Sequence, residues 1–265
     1  MSHRASLDVS APVLKAVTGW IAQHRRRPGS RPAQRAGTVH AQVALVLRWL
    51  RHRLDLRTLA AEAGLSIATA YRYLHEALDV IATHAPGLDD VLDRAHAAGL
   101  PFVCLDGTLV PTDRVAARAE RGHHLWYSGK HRAFGGNVQV IFDPTGFPLW
   151  VSQVCPGSTH DLTAARELAL PALYLHAARG PPVLADKGYT GTGTGVHVPA
   201  KGGRLAPSTA CRNQLLTRLR AEGERGIALL KTRWKALHRI RLCPQRIGAI
   251  AEAALVLTSA ERPIR

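Results

Sequence analysis

Acidic residues are scarce in this chain. Its 265 residues include 19 Asp and Glu against 35 Lys and Arg, which gives a formal net charge of +16 with histidine taken as neutral. Such an excess of positive charge indicates a polyanionic partner, and DNA or RNA fits it best. A basic protein of the membrane surface is the alternative, but no long lysine-rich amphipathic helix and no lipidation signal supports it.

Cysteines and long apolar runs are also few. The cysteines are Cys104, Cys155, Cys211 and Cys243. They form no Cys-x-x-Cys pair and have no histidine pair near them at ligand spacing, which argues against a zinc site and favours reduced thiols. No stretch approaches the length of a transmembrane helix, and polar residues break up the first 18 positions, so no secretory signal is expected. We predict a cytoplasmic protein.

The composition is 46% hydrophobic, so the chain can form a core large enough for one large domain or two unequal ones. We predict three parts. Residues 1–38 hold a short helix around Val13–His24 and a basic arm that begins at Arg25. The arm is either a solvated loop or a contact to phosphates. Residues 39–98 form an all-α domain, and residues 99–265 form a domain of strands and helices.

The sequence from Leu56 to His75 predicts a helix-turn-helix. Gly64 supplies the tight turn, Ser66 caps the second helix, and small apolar residues let the two helices approach closely. Thr69, Tyr71 and Arg72 would project from the second helix toward the major groove of DNA. An ordinary helical hairpin is the alternative, and the basic charge of the chain favours DNA binding over it.

From residue 100 the pattern changes to short strands. We predict strands at residues 102–105, 137–142, 148–154, 182–185 and 196–199. Helices are predicted at 162–175, with an interruption at Pro171, at 208–238, with a soft break at Gly223, and at 245–259. Three strands in a meander followed by helix, strand and helix describe a mixed α/β sheet of the RNase H-like class.

Three acidic residues stand in distinctive positions of this domain. Asp106 and Asp186 each follow an apolar run that predicts a buried strand, and Glu224 lies in the long helix near residue 220. Buried carboxylates need a partner, and two divalent metal ions that act on a phosphodiester would provide one. Arg220 and Lys231 lie four residues before and seven after Glu224, close to one face of that helix, where they would reach phosphates.

Several motifs in order resemble the catalytic domain of DDE transposases of bacterial insertion sequences, in the IS5 group and its Harbinger-type relatives. They are Leu-Asp-Gly-Thr at 105–108, Tyr-Ser-Gly-Lys-His-Arg at 127–132, Gly-Asn-Val-Gln-Val-Ile at 136–141, Pro-Gly-Ser-Thr-His-Asp-Leu at 156–162, Ala-Asp-Lys-Gly-Tyr at 185–189 and Gly-Glu-Arg at 223–225. The resemblance covers about residues 100–258.

The resemblance implies a transposase that binds terminal inverted repeats and cleaves and joins DNA. Asp106, Asp186 and Glu224 match the metal-binding acids, Lys231 and Arg220 match basic residues of the same helix, and Thr217 replaces a tyrosine found in some relatives. Mg²⁺, or Mn²⁺ as a substitute, would occupy a two-metal site. The partners would be inverted-repeat and target DNA at the nucleoid, bound by a dimer or a higher oligomer. The alternatives are a metal-dependent nuclease without strand transfer and a DNA-binding regulator with an inactive catalytic domain.

Two further segments accompany the acids. Asp161, preceded by His160, stands at the start of a helix, where a helix N-cap is favoured over a direct metal ligand. Lys130 and His131 would either contact phosphates or lie in an exposed loop before the second strand.

Overall fold

The computed structural model describes residues 7–26 and 34–262, and of Glu224 it describes the backbone alone. The predicted basic arm therefore lies largely outside the described residues. The described helices are α1 (Ala11–Arg25), α2 (Val39–His52), α3 (Leu56–Glu62), α4 (Ile67–Ala82), α5 (Leu88–Ala97), α6 (Asp161–Leu168), α7 (Leu170–His176), α8 (Pro207–Arg233) and α9 (Ile247–Glu261). No helix in this part of the chain is long and apolar enough to cross a membrane.

The chain divides into two compact units. The first comprises the described parts of Met1–Ala85, Lys231–His238 and Ala249–Arg265, and the second comprises Pro86–Leu230 and Arg239–Gly248. Helix α5 thus belongs to the second unit. The predicted division into residues 1–38, 39–98 and 99–265 stays a prediction.

The first unit is helical, as predicted. Helices α1, α2 and α4 bury apolar faces against one another, and Gln42 is fully buried with its amide nitrogen donating to the Tyr73 carbonyl at 2.9 Å. Between α3 and α4 the chain turns at Gly64 with φ of 63°, a conformation that costs residues with a Cβ free energy. The Ser66 hydroxyl accepts from the Thr69 amide at 3.2 Å, which confirms the predicted N-cap of α4.

The second unit contains a mixed sheet, as predicted. Its strands are β1 (Val103–Pro111), β2 (Tyr127–Ser128), β3 (Ala133–Phe142), β4 (Pro148–Val151), β5 (Cys155–Pro156), β6 (Val183–Leu184) and β7 (Val196–His197). The order is β2-β3-β1-β6-β7, and β4 and β5 both pair with β3. The pairing of β1 with β3 is antiparallel, whereas β6 is parallel to both β1 and β7.

The core of this unit lies where the sheet packs against α5, α6 and α7. Leu92, Leu105, Ile141 and Leu173 are among its buried side chains, together with the ring of Tyr189. Helices α5, α6 and α7 therefore cover this part of the sheet with apolar side chains.

The long helix α8 differs from the sequence-based expectation in two ways. Helix α8 is continuous for 27 residues, so the predicted break at Gly223 is wrong. The same helix ends at Arg233 and gives way to a short 3-10 turn at Lys235–His238. Tertiary contacts, described below, support the helix where the glycine alone would weaken it.

Candidate active site

Asp106 lies inside β1 and not at its end. The predicted strand ended at Leu105, but β1 continues to Pro111 because β3 pairs with it from Cys104–Phe142 to Pro111–Gly135. The expectation that Asp106 follows a strand is therefore wrong. Its backbone is held on one side by the ladder to β3, which fixes where its carboxylate stands.

Asp186 follows β6 as predicted, and the sheet register brings it beside Asp106. In the parallel pairing, Val103 lies opposite Val183 and Cys104 opposite Leu184. Asp106 and Asp186 each lie two residues past the paired Cys104 and Leu184, Asp106 within β1 and Asp186 beyond the end of β6. They are close enough for the charge of Asp186 to raise the pKa of Asp106. Residues that are level on neighbouring parallel strands have side chains on the same face of the sheet. Thus β1 and β6 bring together two acids that are 80 positions apart in sequence.

The two carboxylates differ in their surroundings. The pKa of Asp106 is raised to about 6, chiefly by burial and also by the charge of Asp186, while Arg220 acts to lower it. The carboxylate of Asp186 accepts from the Gly188 amide at 2.7 Å and caps the 3-10 turn at Lys187–Tyr189. Asp106 is therefore a partly buried acid beside a second acid, an arrangement that a cation would stabilise.

Helix α8 passes over the start of β1. A Cβ placed on Gly223 would lie 3.7 Å from Cys104 and 3.7 Å from Phe142, which are ordinary contact distances. One turn earlier, Arg220 lies close enough to Asp106 to lower its pKa, and its Nε is buried without a hydrogen-bond partner in the described part of the chain. The backbone of Glu224 is thus carried on the segment that crosses β1, while its side chain lies outside what the structure describes.

The turn between β3 and β4 holds this segment of α8 closely. Gly146, with φ of 80°, stands at this turn, where the Asp143 carboxylate accepts from the Thr145 amide at 2.8 Å. A Cβ on Gly146 would overlap the carbonyl oxygen of Glu222, and a Cβ on Gly226 would overlap the carbonyl oxygen of Gly146. Glycine at both places lets the two backbones touch, on either side of Glu224.

Asp161 is not a helix N-cap, so the favoured interpretation is corrected. His160 occupies the N-cap of α6 and makes no side-chain capping bond, while Asp161 is the first helical residue. The Asp161 carboxylate instead lies against β1, where a Cβ on Gly107 would be 2.5 Å from its Oδ1. Its charge also raises the pKa of Asp106. Asp161 is therefore a third described carboxylate near Asp106.

A buried chain of hydrogen bonds leads to Asp161. The Tyr189 hydroxyl donates to Gln139 Oε1 at 2.7 Å, Gln139 Nε2 donates to Asn137 Oδ1 at 2.8 Å, and Asn137 Nδ2 donates to Asp161 Oδ1 at 2.8 Å. We call these three residues the amide relay. The sequence analysis missed it, although two amides at alternate positions of an apolar strand, Asn137 and Gln139, were a visible signal.

Lys130 and His160 lie at a cavity beside these acids. The cavity has a volume of about 660 Å³, and its wall includes Tyr127, Lys130, His131, Asn137, His160 and Asp161. Lys130 Nζ donates to Asp161 Oδ2 at 2.7 Å. Burial acts to lower the pKa of Lys130, but the bond to Asp161 and the charges of Asp161, Asp186 and Asp106 raise it above its ordinary value. Lys130 therefore carries its charge next to the acids.

The predicted DNA contacts of the first unit are only partly exposed. Thr69 is buried, with its hydroxyl bonded to Ser66 Oγ at 3.0 Å and to Arg72 Nη2 at 3.1 Å. The prediction that Thr69 projects from α4 is corrected, because this residue serves the helix start and holds Arg72. Tyr71 and Arg72 are exposed.

Two further residues of α8 remain, Thr217 in place of the tyrosine of some relatives and Lys231 as a predicted phosphate contact. Thr217 donates its hydroxyl to the Asn213 carbonyl at 2.9 Å, one turn before it. Lys231 belongs to the first compact unit, and burial lowers the pKa of its ammonium group. The predicted role of Lys231 stays a prediction.

The described acids suit a hard divalent cation. Asp106 and Asp186 offer only oxygen donors, the ligands that Mg²⁺ and Mn²⁺ prefer, and the raised pKa of Asp106 marks a negative charge that lacks full compensation. Among the described side chains, no group of three or more His, Cys, Asp or Glu is arranged as a metal site. A third ligand such as Glu224 would have to complete it.

Comparison with known proteins places these residues in one family. Residues 105–259, more than half of the chain, match a family model described as DDE superfamily endonuclease. The matched region contains Asp106, Asp186 and Glu224. No curated protein and no solved structure matches the chain.

Proposed function

The chain belongs to the DDE superfamily endonucleases, whose substrate is DNA and whose domains generally use divalent metals, and from this premise we propose that it is a transposase. It would bind the terminal inverted repeats of an insertion sequence of the IS5 group, related to Harbinger-type elements, and catalyse cleavage and strand transfer. The observation that carries the proposal is the parallel pairing of β1 with β6, beyond which Asp186 lies near Asp106.

The acids would act together as a metal-binding set. Asp106, Asp186 and Glu224 would hold two Mg²⁺ ions, or Mn²⁺ as a substitute. When bound, such ions activate the attacking hydroxyl and stabilise the leaving oxygen. The strand order supports an RNase H-like sheet for this domain, since a central β1 has an antiparallel neighbour on one side and parallel β6 and β7 on the other.

The residues around the acids would bind and orient the DNA strand. Arg220, beside Asp106, and Lys130, at the cavity, carry positive charge toward the position of a phosphate. Lys231 on α8 would add a further phosphate contact. None of these roles requires a covalent bond between protein and DNA.

The helical unit would supply DNA recognition. The Gly64 turn and the capped start of α4 support a helix-turn-helix between residues 56 and 82, with Tyr71 and Arg72 exposed on the second helix. The net charge of +16 supports a nucleic-acid partner. Bringing two element ends together calls for a dimer or a larger assembly on DNA, at the nucleoid in the cytoplasm.

A cleavage and joining assay tests this function. A labelled duplex that carries one end of the element is incubated with the protein, a target plasmid and Mg²⁺ or Mn²⁺. We expect a metal-dependent cut at the element end and joining of that end to the plasmid. A cut without joining would indicate a nuclease, and binding without a cut would indicate a DNA-binding regulator.

A further inference from the structure

Both oxygens of Asp161 are already used by nitrogen donors. Oδ1 accepts from Asn137 Nδ2 at 2.8 Å, and Oδ2 accepts from Lys130 Nζ at 2.7 Å. The Asp161 side chain is 12% exposed, whereas that of Lys130 is 57% exposed. The acid is therefore fixed in the protein, and the lysine that it holds faces solvent and the cavity.

The amide relay fixes the orientation of the Asp161 carboxylate from the protein interior. Tyr189 and Gln139 are fully buried and Asn137 is 5% exposed. Each amide uses its oxygen to accept and its nitrogen to donate, and Asn137 Nδ2 also donates to the Thr159 carbonyl at 3.0 Å. The hydrogen bonds of the relay thus run in one direction, from the Tyr189 hydroxyl to the Asp161 carboxylate. Buried polar chains of this kind specify one geometry when every member is bonded and are costly when one is left unpaired.

An ordinary surface ion pair needs no such support. Exposed pairs contribute about 0–1 kcal/mol to stability, so Lys130 and Asp161 alone would explain little. A buried relay across β3 that ends on this pair indicates that the position of the lysine matters. The cavity of about 660 Å³ in front of Lys130 has Asp161 in its wall, but neither Asp106 nor Asp186, and it leaves room for part of a nucleic-acid strand. The charges of Asp106 and Asp186 nevertheless reach Lys130.

We infer that Asp161 is a positioning residue for Lys130, and that Lys130 contacts a phosphate oxygen of the DNA strand being cut. Asp161 in this account is neither a helix cap nor a metal ligand. The inference rests on the proposed function and adds to it the residues that hold the Lys130 ammonium group in place. Tyr189 acts at the far end of the relay, through Gln139 and Asn137.

A double-mutant cycle tests the coupling of the pair. Lys130→Ala, Asp161→Asn and the double variant are compared with the unchanged protein for their affinity for the element-end duplex in Ca²⁺. Each single variant should bind about 10-fold more weakly, equivalent to about 1.4 kcal/mol, and the double variant no more weakly than Lys130→Ala. Lys130→Arg should recover part of the affinity. Lys201→Ala, which removes an exposed lysine of the same unit, should bind as the unchanged protein does.

Calorimetric titration of the same proteins with Mn²⁺, without DNA, separates positioning from metal binding. We expect the same Mn²⁺ affinity in all of them. A 10-fold or greater loss in Asp161→Asn, with none in Lys130→Ala, would make Asp161 a metal ligand and overturn the inference. Additive losses of DNA affinity in the cycle would overturn it as well.

Tyr189→Phe provides a second variant that keeps the shape of the core. It removes one hydroxyl and leaves the Gln139 oxygen without its donor, so DNA affinity should fall less than in Asp161→Asn and not at all when Lys130 is already alanine. An equal fall in both backgrounds would contradict the relay. If the unchanged protein never cuts DNA but the cycle is coupled, the proposed function fails and the positioning role stands. If the unchanged protein cuts DNA and the cycle is additive, the proposed function stands and the positioning role fails.

Discussion

At the scale of single residues, the site depends on a carboxyl group held where it ionises poorly. Asp106 has a pKa of about 6, raised from the ordinary value near 4 chiefly by burial and also by Asp186. Arg220 offsets only part of this effect. Since the folded pKa exceeds the unfolded one, the contribution of protonated Asp106 to stability is complete below about pH 4 and is lost as the pH rises through 6.

We therefore expect Asp106→Asn to be more stable than the unchanged protein above pH 6. The difference should amount to roughly 1.4 kcal/mol for each unit by which the pKa is raised, and it should vanish below about pH 4. Urea unfolding between pH 3.5 and 7.5 measures it. Asp90→Asn, at an exposed aspartate of the same unit, is the control and should show no such gain. Equal stabilities at pH 7 would contradict the raised pKa.

At the scale of elements, backbone contact with the turn between β3 and β4 positions the segment of α8 that carries Glu224. Gly146 and Gly226 touch through their backbones, and Gly223 packs on Cys104 and Phe142 at ordinary distances. The two glycines of α8 thus have the same helix propensity and different surroundings. Their substitution separates propensity from packing.

Gly226→Ala should destabilise the protein by about 1–3 kcal/mol, because the new methyl group overlaps the turn between β3 and β4. It should also slow DNA cleavage by displacing the segment that carries Glu224. Gly223→Ala adds a methyl group without overlap and should be neutral or stabilising by up to about 1 kcal/mol. Thermal unfolding of both variants tests this difference. A Gly226→Ala protein as stable as Gly223→Ala would show that the contact does not position the helix.

The start of α4 provides a test of DNA recognition. Arg72 is exposed and is held by Thr69 at 3.1 Å. We expect Arg72→Ala to weaken binding to the element end about 10-fold while leaving the melting temperature unchanged, since its side chain is exposed and would contact DNA without contributing to the core. Fluorescence anisotropy at several salt concentrations measures the affinity. Arg94→Ala, at an exposed arginine of α5, is the matched control, and equal affinities of the two variants would contradict recognition by α4.

Local signals predicted the elements better than they predicted the site. The Ser66 cap and the Gly64 turn each depend on nearby residues, so sequence was sufficient for them. The continuation of β1 past Asp106 depends on pairing with β3, a partner about 30 positions away. The surroundings of Asp161 likewise come from several elements, which is why a cap was favoured for an acid at a helix start.

At the scale of the whole molecule, a chain of net charge +16 carries a small group of acids. Three aspartates near one another, Asp106, Asp161 and Asp186, are unfavourable by themselves, and the positive groups of Arg220 and Lys130 offset only part of their repulsion. The excess of positive charge elsewhere attracts DNA phosphates. We therefore regard the acids as the reactive centre and the basic residues as the means of holding the substrate.

The most direct test of this account is the rate of Mn²⁺-dependent cleavage of an element-end duplex by four proteins. They are the unchanged protein, Asp106→Asn, Asp186→Asn and Glu224→Gln. All four should bind the duplex, and the three variants should cut it at least roughly 100-fold more slowly, because each would lose a carboxylate ligand of the metal ions. Cleavage at the unchanged rate by Asp106→Asn or Asp186→Asn would show that the pair formed by β1 and β6 is not the catalytic centre.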